Sequence, residues 1–330
     1  MNALLVASVN NHTSVVVLAL GLAYGTPLIF AGLGELLAER SGVLNLGVEG
    51  MMLVGAVMGF WLVQRVHGPT VVSLVVGLGM AALAGAVMAT IHAFLVVTLR
   101  ASQIVSGLAL TIFAGGAGLS SYLGNDLNLA DSPARHSFKD IDVFGLKDVP
   151  VLGPIVFHQS ALVYASWALA VLVGLYLART RPGLNVRAVG ESPAAADAMG
   201  INVTFYRYAH TLVGGALAGI GGACFSLSIT PQWVGGGLLT RGAGWIAIAL
   251  VIFAFWRADL IVLGAYLFGA LTVLPPILQA KEHVTLAPEL LEALPYVMTI
   301  VVLALVSSGV AKRRLGAPAA LGLPYVREER

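Results

Sequence analysis

Residues 71–99 read VVSLVVGLGMAALAGAVMATIHAFLVVTL and contain no Asp, Glu, Lys or Arg; His92 is the one titratable side chain in the run. A helix crosses the hydrocarbon core of a bilayer in about 20 predominantly apolar residues. This stretch is therefore a membrane segment. It is longer than one perpendicular crossing needs, so it must be tilted, extended beyond the bilayer or broken. Working outward, Val15 to Leu37 carries a single charge, Glu35. Of the 330 residues, 58% are hydrophobic and 10% charged, with a mean hydropathy of +0.91. A soluble domain carries roughly 25% charged residues, so the composition excludes that class.

Nine segments are long and apolar enough to cross or enter the membrane, near 14–37, 43–63, 70–99, 102–123, 160–178, 209–229, 243–256, 259–279 and 294–311. The seventh is short and follows the glycine run VGGGLLTRGAGW, which predicts a half-helix or re-entrant element there. Irregular backbone at membrane depth must line a cavity or be buried in protein. The stretch MNALLVASVNNHTS has no Lys or Arg, so a cleavable signal is not expected. Cys224 is the one cysteine; it excludes an intramolecular disulfide and reads as a small buried hydrophobe.

Basic residues set the orientation. Arg100 ends the third segment, and Arg179, Arg181, Arg187 and Arg207 lie in the loop after the fifth. Arg257 follows the seventh, and Lys312, Arg313 and Arg314 follow the ninth. Placing all of them in the cytoplasm lets the segments alternate, with the 124–159 loop and the N-terminus outside. A net charge of +2 spread over many loops fits orientation, not a nucleic-acid surface. The 39 glycines point to close helix packing, because small residues let membrane helices approach and slide. GMAALAGAVMA and GGALAGIGGA look alike, one in each half, either as an internal repeat or as convergence on small-residue packing.

The loop Ala178 to Tyr208, ARTRPGLNVRAVGESPAAADAMGINVTFYRY, is too polar to enter the membrane. Ser192 reads as an N-cap, Pro193 as the first helical position and Gly200 as the left-handed residue that ends a short helix. Two turns alone are marginal in water, so the rest of the chain or a partner must hold them. At about 30 residues the loop is long for a helix connection, which fits a coupling element.

The spacing in Ala195-Ala196-Asp197-Ala198-Met199-Gly200 resembles the EAA loop of ABC importer permeases, where a short cytoplasmic helix docks on the ATPase subunit. Ala194 stands where that motif has Glu, and no Ile-x-Leu-Pro follows, as in the branch holding branched-chain amino acid, ribose and nucleoside permeases. Three stretches resemble the permeases of nucleoside and simple-sugar importers: LLAERSGVLNLGVEGMMLVGA, SQIVSGLAL and GLNVRAVGESPAAADAMGINVTFYRYAHTLVGGALAGIGGA. The resemblance spans roughly Thr26 to Tyr266.

The resemblance implies an all-α integral membrane protein, a polytopic bundle of about nine transmembrane helices with a cytoplasmic coupling helix. One transmembrane permease domain would cover 1–311, with a periplasmic loop at 124–159, a coupling loop at 179–208 and a cytoplasmic tail at 312–330. It implies a multi-pass protein of the bacterial inner membrane, with two ABC ATPase subunits, a second permease (a heterodimer) and a periplasmic or lipoprotein substrate-binding protein as partners. Coupling residues would be Glu191, Ser192, Ala195, Ala196, Asp197 and Gly200. ATP and Mg would be bound by the partners and no cofactor by this chain. Independently, none of Lys139, Lys147, Lys281 and Lys312 directly follows a glycine, so no phosphate-binding Gly-Lys loop occurs.

The stretch GELLAERSGVLNLGVEGMM, Gly34 to Met52, carries Glu35, Glu39, Arg40 and Glu49. Ser41-Gly42 and Gly47 break the helix near a membrane surface. Glu39 and Arg40 fit the cytoplasmic interface, paired or solvated. Asn45 and Glu49 lie four apart on one helical face, and an ionised carboxylate facing lipid is too costly, so Glu49 faces protein, a partner or water. Either this face lines the translocation path, or Glu49 makes a structural contact to Arg40 or to backbone N–H groups. Gln103 and Ser106 are further path or gate candidates. Arg241 fits an outer vestibule or an interfacial anchor, and Trp233 and Trp245 fit the interfacial belt. The seven histidines show no i, i+4 pair and no cysteine partner, so no metal site is expected.

Three classes compete. The first is an ABC importer permease for nucleosides, purines or simple sugars, with branched-chain amino acids as the alternative cargo. The second is an ion-coupled secondary transporter using Glu49. The third is a membrane enzyme, which needs a His, Asp or Ser/Lys cluster at membrane depth that the sequence lacks.

Overall fold

The computed structural model describes residues 13–129, 133–235, 238–279, 287, 290–291, 293–307 and 316–327. Residues 1–12, 308–315 and 328–330 lie outside the described residues, and with them the N-terminal side, the end of the ninth segment and the Lys312–Arg314 cluster.

Helix α1 spans Thr13–Arg40, α2 Val48–Arg65 and α3 Thr70–Ala93, which continues as a π-helical turn over Phe94–Thr98. Helices α4 (Gln103–Ala114) and α5 (Leu119–Asp126) are separated at Gly115–Gly118, where Gly116 has φ of 55°. The following loop pairs β1 (Asp140–Asp142) antiparallel with β2 (His158–Ser160), a small ribbon that an all-α reading did not anticipate. Then come α6 (Ala161–Arg179), α7 (Arg181–Glu191), α8 (Pro193–Ala198) and α9 (Val203–Cys224), the last continuing as a π-helical turn over Phe225–Ile229. Helices α10 (Ala243–Phe253), α11 (Ala258–Gln279) and α12 (Leu294–Ser307) complete the described elements.

Among the described residues, six helical stretches are long and apolar enough to cross a membrane: Thr13–Arg40, Thr70–Thr98, Gln103–Asp126, Ala161–Arg179, Val203–Ile229 and Ala258–Gln279. The protein is thus a mostly helical, multi-pass membrane protein. The other three expected segments hold α2, α10 and α12. Glu49, Gln64 and Arg65 sit near the ends of α2, α10 has 11 residues and α12 has 14.

Helix α9 is the centre of the bundle, and glycine is the reason. A Cβ on Gly222 would lie 1.8 Å from the Met52 carbonyl oxygen of α2. One on Gly85 of α3 would lie 2.1 Å from the Gly215 oxygen, and one on Gly34 of α1 2.5 Å from the Gly214 oxygen. Backbone touches backbone on three sides of one helix, which only hydrogen side chains allow. The two look-alike stretches are partners in this packing: Gly85 and Ala89 meet Gly215, and Ala81 meets Gly219, with α3 and α9 antiparallel. Their shared glycine spacing therefore serves one interface.

Two placements differ from expectation. Arg207 is not in a loop: Asn202 Oδ1 accepts from Phe205 N at 2.9 Å, so α9 begins at Val203 and Arg207 is buried at 1% exposure within it. Trp233 is not an interfacial anchor but is buried against Gly124, where α5 has no side chain to obstruct the ring. Cys224 is buried, as read, and Trp245 is exposed.

Replacing Gly222 with Leu should lower the thermal midpoint of the detergent-solubilised protein or abolish recovery of a monodisperse species; overpacking costs about 1–3 kcal/mol even where neighbours yield. Gly79→Leu in α3, with no heavy atom within 4 Å of its added Cβ, should leave the midpoint unchanged. Equal behaviour of the two variants in size-exclusion thermal denaturation would contradict the packing account.

Candidate functional site

The chain between α1 and α2 is not helical. After Arg40 it turns at Ser41-Gly42, with Gly42 at φ of 89°, and runs back along α1, so that Asn45 N donates to Glu35 Oε1 at 2.9 Å. Non-helical backbone beside membrane helices leaves peptide groups that lipid cannot satisfy. Neighbouring side chains supply the partners. Leu44 N donates to Gln103 Oε1 at 2.6 Å, the Leu44 carbonyl accepts from His92 Nε2 at 3.1 Å, and the Leu46 carbonyl accepts from Thr111 Oγ1 at 2.8 Å. His92 Nε2 must carry a proton to meet a carbonyl, so in the neutral ring Nδ1 accepts from Ser106 Oγ, 2.9 Å away.

Asn45 and Glu49 do not share a helical face. Asn45 Oδ1 accepts from Gly47 N at 3.0 Å, closing a local turn that competes with helix; α2 starts only at Val48. Glu49 reaches instead to α10. Its Oε1 accepts from Thr240 Oγ1 at 2.5 Å and from Gly242 N at 3.2 Å, and its Oε2 accepts from Gly244 N at 2.6 Å. Gly242 is the N-cap of α10 and sits at φ of 79°, so the carboxylate of one helix caps the N-terminus of another. An N-terminus carries the positive end of the helix dipole and unpaired N–H groups. Helix α10 is about 16 Å long at 1.5 Å per residue, too short to cross. It runs beside the second half of α1: Gly32 faces Ala247, and Trp256 donates from Nε1 to Glu39 Oε2. This is the half-helix that the glycine run predicts. Of the two structural contacts open for Glu49, the backbone N–H groups are the ones made.

Glu49 also borders an open cavity of about 450 Å³ at the break between α4 and α5, lined further by Leu53, Thr111, Ile112 and Gly115 to Gly118. Glu49 is buried, yet one side of its cap faces this recess. Asn45, Gln103 and Ser106 are buried around the Val43–Gly47 segment and do not line that cavity. Glu39 is buried, while half-buried Arg40 donates to the carbonyls of Trp256 at 2.7 Å and Gly316 at 3.1 Å.

The short helix after Ser192 forms as read. Ser192 Oγ accepts from Ala195 N at 3.4 Å, Pro193 opens α8, and Gly200 has φ of 82°. Glu191, Ser192, Ala195 and Gly200 are exposed and Asp197 is half-buried. Ala196 differs: at 3% exposure it packs on Val189 and Val203, so it seats α8 on the body of the chain. The preceding α7, capped by Thr180 Oγ1 accepting from Gly183 N, was missed; Thr180 two residues before Pro182 is the signal that predicts it. His92 was also missed, because its partners lie 14 and 48 residues away. No group of His, Cys, Asp and Glu among the described residues fits a metal ion.

Comparison with known proteins places the chain. The family described as "Branched-chain amino acid transport system / permease component" matches residues 17–303. The chain is 38% identical to a candidate glucose ABC transporter permease protein of Haloferax volcanii over 322 residues, 92% of this chain and 95% of the relative. It is 34% identical to the nucleoside ABC transporter permease protein of Lactococcus lactis subsp. cremoris, over 96% of this chain and 99% of the relative. It is 34% identical to a guanosine ABC transporter permease protein of Bacillus subtilis, over 94% and 96%. A second guanosine permease of Bacillus subtilis is 28% identical over 75% of this chain and 70% of its own length. No solved structure gives a significant match.

Glu49→Gln should destabilise the solubilised chain by roughly 1–3 kcal/mol, because an amide cannot accept from three donors and loses the charge at the α10 terminus. Thr240→Val should cost less, and the double variant less than the sum, since both act on one network. Additive losses in denaturation would contradict the cap.

Proposed function

The chain belongs to the family of permease components of branched-chain amino acid-type transport systems, and from that premise we propose that it is the transmembrane subunit of an ATP-driven ABC importer for nucleosides, purines or simple sugars. The observation that carries the cargo is the near full-length identity to permeases named for glucose, a nucleoside and guanosine. The family description names branched-chain amino acids, but the three chains that match from end to end do not.

In this reading the bundle crosses the bacterial inner membrane several times, with α10 entering it without crossing and the arginine-rich end in the cytoplasm. Two ATPase subunits hold ATP and Mg and dock at α8 through the exposed Glu191, Ser192, Ala195 and Gly200. A second permease completes the pore; the two guanosine permeases of one Bacillus strain support a heterodimer. A periplasmic or lipoprotein binding protein delivers substrate from the side of the 124–159 loop. The path runs by the recess at Glu49 and Thr111. Its volume falls within the 300–1,000 Å³ range of small-molecule sites. The Thr111 hydroxyl, which donates to the Leu46 carbonyl, and the Glu49 carboxylate, which accepts three bonds, keep acceptor lone pairs for sugar hydroxyls or the N–H groups of a base. Asn45, Gln103 and Ser106 shape that path by holding the Val43–Gly47 segment in place. Alternating access then moves glycine-packed helices that slide without side-chain interlock.

The test is purification and transport. An affinity-tagged chain should bring down an ATPase and a second permease in stoichiometric amount, and the complex in liposomes should take up labelled guanosine or glucose only with ATP. A chain that purifies alone and transports without ATP would contradict the reading and make Glu49 a coupling carboxylate. Within the complex, Ala195→Glu should cut uptake about tenfold, the loss expected from about 1.4 kcal/mol at the docking face, while insertion in the membrane is normal.

A further inference from the structure

The described part of the tail, residues 316–327, does not project from the bundle. It lies across the arginine-rich end and bonds to α1, the turn after it, α7, α8 and α9. The Gly316 carbonyl accepts from Arg40 Nη1 at the end of α1. Ala319 N donates to Glu191 Oε2 at 3.3 Å and Ala320 N to the Gly190 carbonyl at 2.9 Å, both at the end of α7. Gly322 N donates to the Gly42 carbonyl at 3.3 Å in the turn after α1. The Leu323 carbonyl accepts from Arg207 Nη1 at 3.0 Å in α9. On α8, Asp197 Oδ2 accepts from Tyr325 Oη at 2.8 Å and pairs with Arg327 Nε at 3.3 Å.

The packing matches the hydrogen bonding. Pro318 and Ala320 are buried, and a Cβ on Gly190 would lie 3.2 Å from the Pro318 Cβ. Tyr325 packs on the small cluster of Val189, Ala196 and Val203 that seats α8. Helix α8 has six residues and cannot hold its shape or place by itself. Its own chain anchors it through Ala196, one small side chain. The tail adds a hydrogen bond and an ion pair at the adjacent residue, Asp197.

We propose that residues 316–327 are a strap that fixes α8 relative to α1 and α9, and that Asp197, Tyr325 and Arg327 are positioning residues for the coupling of ATP hydrolysis to transport. The proposal rests on the importer reading. A short helix that receives a push can pass it to the bundle only if it is tied to the helices that move. The strap joins α8 to the end of α1 and to the buried Arg207 of α9, which are two of the glycine-packed helices. The cleft of about 520 Å³ between α8 and the strap, lined by Arg100, Asp197, Gly200, Asn202, Tyr325 and Arg327, then belongs to the ATPase-facing surface.

The experiment compares three purified complexes in liposomes: wild type, Tyr325→Phe, and a chain lacking residues 316–330. Substrate uptake, ATP hydrolysis and subunit yield are read for each. A wild-type complex without ATP-driven uptake would defeat the importer reading, and the strap proposal with it. Given coupled wild type, Tyr325→Phe should assemble normally and hydrolyse ATP at the basal rate. It should import about fivefold less substrate per ATP, the factor carried by one hydrogen bond of about 1 kcal/mol. The shortened chain should lose more. Uptake per ATP unchanged in both variants would overturn the proposal. So would a fall of uptake and hydrolysis in equal proportion to subunit yield, because that is the signature of a purely structural tail.

Discussion

The architecture depends on backbone-to-backbone contact along α9. In lipid no hydrophobic drive pulls helices together, so packing and hydrogen bonds must do so. The glycines at 214, 215, 219 and 222 bring α1, α2 and α3 to one helix at distances that exclude a Cβ. That arrangement positions everything else. With α1 and α2 both against α9, the residues between them fold back beside α1, and Glu35, His92, Gln103 and Thr111 all come within reach of their backbone. The same smooth interfaces lack interdigitating side chains, which suits helices that must shift in a transport cycle.

Two irregular elements sit within this frame, and each is stabilised by side chains from other helices. The Val43–Gly47 segment has its peptide groups met by α1, α3 and α4. The half-helix α10 has its N-terminus met by Glu49 of α2. Neither element satisfies all of its own backbone, so each depends on the helices around it. Buried polar side chains meet at both places: Glu35, Asn45, His92, Gln103 and Ser106 at the first, Glu49 and Thr240 at the second. A buried carboxylate here does structural work and also borders the recess beside α4 and α5.

Local rules made much of this legible in the sequence. The membrane class follows from one uncharged run, and α8 follows from Ser192, Pro193 and Gly200, whose effects act within a turn. The half-helix follows from the glycines before Ala243. What failed involved competition or distance. Asn45 was read on the face of Glu49 because a 3.6-residue period cannot register a side chain turning back to Gly47 N. Arg207 was read as a loop residue because its partner, Leu323, lies 116 residues on. The strap was invisible for the same reason: Arg40 and Gly316 are 276 residues apart. Ala196 was grouped with the docking residues because a motif gives no side of the helix.

In the importer reading, ATP hydrolysis enters the bundle at the arginine-rich end, with α8 at its surface. Met199 is 83% exposed at the end of α8, and its neighbour Gly200 turns the chain away from it. The most direct measurement places a photoreactive amino acid at position 199 in the assembled complex, irradiates it and identifies the adduct by mass spectrometry. The account predicts a crosslink to an ABC ATPase subunit whose yield changes when ATP is bound. An adduct with lipid or with the second permease, and none with an ATPase, would contradict it.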